Sequence, residues 1–140
     1  MLEHGADFRT LVKGTTPLIV ASVYDNLGIV RLLLDNAADI DQSRNDGITP
    51  LYQASLEGHH GVVRLLLSRG ANVDKATMDG WTPLQAAAMA SHRGICRMLL
   101  NKGADSNKVL TDGRGPLHSS CLFGRTQTVK QLLDKDANVN

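Results

Sequence analysis

The residues of this chain that could do chemistry fall into columns rather than clusters. His59 and His92 lie 33 residues apart, with His60 beside the first. Imidazoles can hold zinc, but no Cys, Asp or Glu stands at a spacing that completes a tetrahedral ligand set. Helix starts are their expected place. Cys96 and Cys121 form neither a CxxC nor a disulfide framework. They occupy the places that Val63 and Ala88 hold 33 residues earlier, so both read as buried small hydrophobes. Asp46, Asp79 and Asp112 form another column, each followed by glycine. A negative stripe could steer a basic partner, but Asp-Gly is first of all tight-turn chemistry. Arg31, Arg64, Arg97 and Lys130 form a fourth column, which could meet an acidic partner or lipid headgroups. The nearly balanced overall charge favours reading it as a solvated outer face. There is no GxGxxG or Walker loop, no nucleophile elbow and no HExxH. The expectation is a chain that is not an enzyme, with no cofactor and no metal.

Columns imply a period. Gly14-Thr15-Thr16-Pro17-Leu18 recurs as Gly47-Ile48-Thr49-Pro50-Leu51, as Gly80-Trp81-Thr82-Pro83-Leu84, and in eroded form as Gly113-Arg114-Gly115-Pro116-Leu117, always 33 residues on. A fixed period of this size marks a stacked array in which each unit buries its core against its neighbours. Thr16, Thr49 and Thr82 stand at predicted helix N-caps, with proline at the first helical position, where its missing N–H costs nothing. A first helix of about two turns follows, such as Pro50 to Glu57, with a small inner face of Ala21, Ala54, Ala87 and Ser120. After a short turn, at Gly58 and Gly124, comes a second helix, such as His60 to Ser68, apolar over most of one side. Gly70 and Gly103 then fall where a helix end wants a left-handed residue. Ala37 and Asp136 replace glycine there, at a cost of up to about 1 kcal/mol each. The Asp-Gly steps between units predict loops that double back as hairpin-like fingers.

The bulk numbers agree. Apolar residues make up 42% of the 140, enough for a continuous core, and aromatics only 4%, so that core must be aliphatic. A formal net charge of +1 argues against a duplex nucleic acid partner. No signal-type or membrane-spanning apolar run is present, so membrane insertion is not expected. Two unpaired cysteines point to a reducing, intracellular compartment, cytoplasmic or nuclear.

This chain resembles the ankyrin repeat family: the 33-residue period, Thr-Pro-Leu, an alanine-rich first helix, a Leu-Leu second helix, then Gly-Ala-Asp. The resemblance implies an all-α solenoid of stacked helix-turn-helix units with hairpin-like finger loops. It places repeats at 14–46, 47–79, 80–112 and 113–140. Leu2 to Asp7 matches Leu67 to Asn72, so residues 1–13 read as the remnant or N-terminal cap of a preceding repeat, with a loop one residue short. The family's Thr-Pro-Leu-His keeps its histidine only at His118, which has lost its threonine to Gly115; Ile19, Tyr52 and Gln85 stand in the equivalent places. Thr128 and Gln131 put polar groups where the other units are apolar, as a C-terminal cap requires. Asp105-Ser106-Asn107 after Leu99 is similar to the acceptor pattern of an asparaginyl hydroxylase that acts on ankyrin domains.

In this family the fingertips and the exposed ends of the first helices line one concave face. Matching positions carry Thr15, Val23 and Tyr24 in the first unit, Asn45, Asp46, Ile48, Leu56 and Glu57 in the second, Met78, Asp79, Trp81, Met89 and Ala90 in the third, and Thr111, Asp112, Arg114, Leu122 and Phe123 in the fourth. The only Trp of the chain is among them, with one Tyr of two, one Phe of two and two Met of four. Such side chains are enriched in interface cores. The expected partner-binding set is Tyr24, Ile48, Leu56, Met78, Trp81, Met89, Arg114, Leu122 and Phe123, with Trp81 central. The alternative is that these residues fold back and pad the stack. The expected role is non-catalytic binding of a protein partner by a monomer. The other reading is a spacer or substrate-recruiting segment of a larger protein, such as an enzyme, channel or ubiquitin-ligase subunit.

Overall fold

The computed structural model describes residues 14–105. The fourth expected unit lies outside them, with Arg114, Leu122, Phe123, His118, Cys121 and Asp136, as do residues 1–13 and Asn107. The described chain forms three helix pairs. These are α1 (Pro17–Val23) with α2 (Leu27–Asp35), α3 (Pro50–Glu57) with α4 (His60–Ser68), and α5 (Pro83–Met89) with α6 (Arg93–Asn101). No strand occurs among the described residues. Each pair packs on itself, α1, α3 and α5 stack as one layer, and α2, α4 and α6 stack as a second.

Local chemistry starts the first helix of each pair as expected. The hydroxyls of Thr16, Thr49 and Thr82 accept from the N–H groups of Ile19, Tyr52 and Gln85 at 3.2, 3.1 and 3.2 Å. A proline follows each cap. At the third cap the Thr82 N–H also donates to the Gln85 side-chain oxygen at 2.8 Å, closing a reciprocal capping box. Gln85 thus ties down the loop at the place where the family's histidine would stand.

Every described helix stops on a left-handed residue, and only half of these are glycine. Gly70 and Gly103 end the second and third pairs, and Ala37 takes the same conformation at φ 68°. There the Ala38 N–H donates to the Leu33 carbonyl and the Ala37 N–H to that of Leu34, the pairing of a Schellman motif. The first helices end likewise, on Gly58 in the second pair and on Asp25 (φ 56°) and Ser91 (φ 66°) in the others. Ala37 is legible from the 33-residue alignment, and Asp25 and Ser91 are legible in the same way, opposite Gly58.

The core sits between the two layers and is built of 33-residue columns: Leu18, Leu51 and Leu84; Ala21, Ala54 and Ala87; Val30, Val63 and Cys96. All nine are buried. Alanine on the first helices lets that layer approach closely, and the long side chains of the second helices fill the space between the layers. Burial pushes the Cys96 thiol up to about 12, which keeps it protonated and unreactive at neutral pH.

Candidate partner-binding face

The fingers are hairpins in backbone geometry. The Arg44 N–H donates to the Ile48 carbonyl at 2.9 Å, and the Thr77 N–H to that of Trp81 at 2.8 Å. Asp46 acts as its turn residue should, with a carboxylate oxygen accepting from the Ile48 N–H at 3.2 Å. The same carboxylate pairs with the Arg44 guanidinium, which holds it below the ordinary aspartate range. Adjacent fingers are joined directly: the Met78 N–H donates to the Asp46 carbonyl at 3.0 Å. The approach is so close that a Cβ on Gly47 would lie 2.7 Å from the Met78 nitrogen, and φ at Gly47 is 86°. Glycine is required here on both counts.

The other end of the face is pinned by histidine. His59 Nε2 lies 2.8 Å from the Val23 carbonyl, and His92 Nε2 lies 3.1 Å from the Leu56 carbonyl. A carbonyl can only accept, so each imidazole carries its proton on Nε2. Each histidine thereby caps the last turn of the preceding pair's first helix, satisfying a carbonyl that the helix itself leaves open. A third set of ties runs through the loops after the second helices. There Asp41 and Asp74 accept from the N–H groups of Asn72 and Asp105 at 2.9 and 3.0 Å. Sequence reasoning weighed His59 and His92 only as possible metal ligands or helix-start residues. Their bridging role follows from the 36-residue reach back to the preceding unit, which a residue-by-residue alignment does not display. Among the described residues no group of three or more His, Cys, Asp or Glu is placed to hold a metal ion.

The expected binding residues separate into two rails. Ile48, Met78 and Trp81 lie on the side-by-side fingers, whereas Tyr24, Leu56 and Met89 lie at the exits of the stacked first helices. A helix of seven or eight residues separates the rails by roughly 10–12 Å. Tyr24 and Met78 are each 74% exposed. Ile48, Leu56, Trp81 and Met89 are half-buried. Thr15 departs from the expectation of an exposed fingertip: it is only 6% exposed, and among the described residues its hydroxyl finds no partner. It follows Gly14, where a Cβ would meet the Asn45 side chain of the next finger at 2.8 Å, so this segment is packed against its neighbour. Between the rails Tyr52 is buried. Its phenol is pushed up by that burial and then by the carboxylates of Asp46 and Asp79. With Glu57 and Asp25 exposed at the helix exits, the face is acidic as well as apolar.

Stacked pairs of short antiparallel helices, joined by hairpin fingers at a 33-residue period, define a helical repeat solenoid. A family model described as ankyrin repeats (3 copies) matches residues 1–77 and 70–140. The chain belongs to the ankyrin repeat family, whose members are generally protein-interaction modules and typically non-catalytic. A search of curated proteins finds no match to the chain. Among the described residues no helix is long and apolar enough to cross a membrane.

Proposed function

We propose that this chain is a non-catalytic binding module that takes a protein partner on the face formed by the fingers and the exits of the first helices. The observation that carries the reading is the exposure of Met78 and Tyr24, 74% each, on a side of the molecule whose scaffold needs neither. Large apolar side chains left in water at two rails of one face are what an interface core uses. Trp81 and Met89 supply further half-buried contact area, and Asp79 and Glu57 supply a polar rim. Trp81 also has its backbone fixed, since its N–H donates to the Thr77 hydroxyl at 3.1 Å. A preordered anchor loses little entropy on binding.

The test is a comparative capture. The native chain, a Met78→Asp/Trp81→Ala chain and an Arg64→Glu chain are immobilised after circular dichroism has verified their fold. A protein retained by the native and Arg64→Glu chains but lost with the double variant fits the proposal. If every protein retained by the native chain also survives the double variant, the finger side is not the binding surface.

A further inference from the structure

The second-helix layer carries a charge pattern that the overall balance conceals. Its three helices and the residues that cap their C-terminal ends hold Arg31, Arg64, Arg69, Arg93, Arg97 and Lys102 against a single carboxylate, Asp35. That carboxylate is already taken, 2.7 Å from the Arg69 guanidinium. Arg31, Arg64, Arg93 and Arg97 are all exposed, and among the described residues none of them has an ion-pair partner. Exposed positions recur along each helix four residues apart, through Arg31, Arg64 and Arg97 at the centre. The helices pack side by side, so these three arginine positions repeat at the interaxial spacing of neighbouring helices, about 8–10 Å.

We infer that this outer face docks an acidic helical segment of a partner protein, with carboxylates on one side at every second turn. The spacing chooses the conformation. In an α-helix the side chain seven residues on returns to the same face after about 10.5 Å, which matches the ladder. In a strand, same-face side chains recur at about 6.6 and 13 Å, and neither value fits. Charge complementarity chooses the sign, and three arginines rather than lysines favour carboxylate, which a guanidinium grips with two parallel hydrogen bonds. A long polyanion such as duplex nucleic acid fits less well, because the loops that follow the second helices carry Asp39, Asp41, Asp74 and Asp105. This surface is separate from the finger side and stands or falls independently of it.

The experiment is a titration of the full chain, followed through the arginine Nε–H resonances by NMR. The probe is a neutral alanine/glutamine helix bearing three glutamates placed about seven residues apart. The control has the same composition with the glutamates adjacent. The expected result is that Arg31, Arg64 and Arg97 shift on one curve while Arg44 and Arg69, already paired, stay still. Binding weakens as salt rises, falls about tenfold or more in Arg31→Gln/Arg64→Gln/Arg97→Gln, and is weaker for the control peptide. Arg31, Arg64 and Arg97 resonances that do not move overturn the proposal, as does a control peptide that binds equally well. So does a duplex oligonucleotide or an anionic phosphatidylserine vesicle that engages the same three arginines more tightly than the peptide.

Discussion

The two sides of this solenoid are built from the same period and end up opposite in character. The finger side is held by backbone and histidine hydrogen bonds that pass from one repeat to the next: Met78 to Asp46, His59 to Val23, His92 to Leu56. Its exposed charges are acidic, at Asp25, Asp46, Glu57 and Asp79, and its large exposed side chains are Tyr24 and Met78. The outer side is held by aliphatic packing beneath it, and the charge it shows to water is mainly arginine, beside the exposed Leu27 and Leu32. A period multiplies whatever stands at each position, so one arginine per unit becomes a ladder and one aspartate becomes a stripe. A net charge of +1 is then the sum of two fields rather than the absence of one.

The first way to break this comparison is at the core that both sides share. Leu66, with no exposed surface, packs between the layers. Leu66→Ala is expected to cost about 2–5 kcal/mol in denaturant unfolding and to weaken binding on both faces together. Arg64→Ala, two residues away, should change stability by less than about 0.5 kcal/mol. A large loss at Arg64 would mean that the outer ladder is structural, and that the two sides are not divided as described.

The second separates inter-repeat ties from local backbone strain. Gly58 and Gly70 are both left-handed, at φ 83° and 90°. A Cβ on Gly58 would lie 2.7 Å from the His92 ring, whereas one on Gly70 would meet nothing within 4 Å. Gly70→Ala should therefore cost only conformational strain less the unfolded-state offset, about 0.5 kcal/mol net. Gly58→Ala should also push His92 off the Leu56 carbonyl, for a total of about 1.5 kcal/mol. Thermal midpoints of the two variants measure the difference. Equal losses would mean that the histidine bridge contributes nothing to the stack.

What the sequence made legible follows from what a period can display. The helices are readable to the residue at Pro50–Glu57 and His60–Ser68, because Thr-Pro starts and Gly-Ala stops are local signals. The finger turns are readable from Asp-Gly. Ties that join position n of one unit to a different position of the next, such as His92 to Leu56, vanish when units are compared only column by column. Thr15 misled for a related reason: alignment with Ile48 and Trp81 gives the position on the finger, but burial depends on what lies beside it. For the described members of the candidate set, alignment gives the place of each on a finger or at a helix exit. The division of the set into two rails needs the length of the first helices between them, which only the packed layer supplies.

The smallest effect sharpens the comparison at its helix ends. Ala37, Asp25 and Ser91 all sit where glycine would be unstrained. Ala37→Gly removes the left-handed penalty of about 1–2 kcal/mol, but the more flexible unfolded chain offsets about 0.4–1 kcal/mol of it. A net gain of about 0.5 kcal/mol is expected, visible as a raised thermal midpoint. Asp25→Gly should gain less. Aspartate tolerates the left-handed region better than alanine, and Asp25 stands two residues after Val23, whose carbonyl the His59 imidazole bridges at 2.8 Å, so a more flexible residue there loosens that tie. The order of gain, Ala37 above Asp25, is therefore set by the side to which each residue belongs. Ala37 ends an outer helix and has nothing to lose, whereas Asp25 lies on the finger side, beside a tie. Reversal of that order in paired denaturation curves would mean that the turn at Asp25 does not support the His59–Val23 tie.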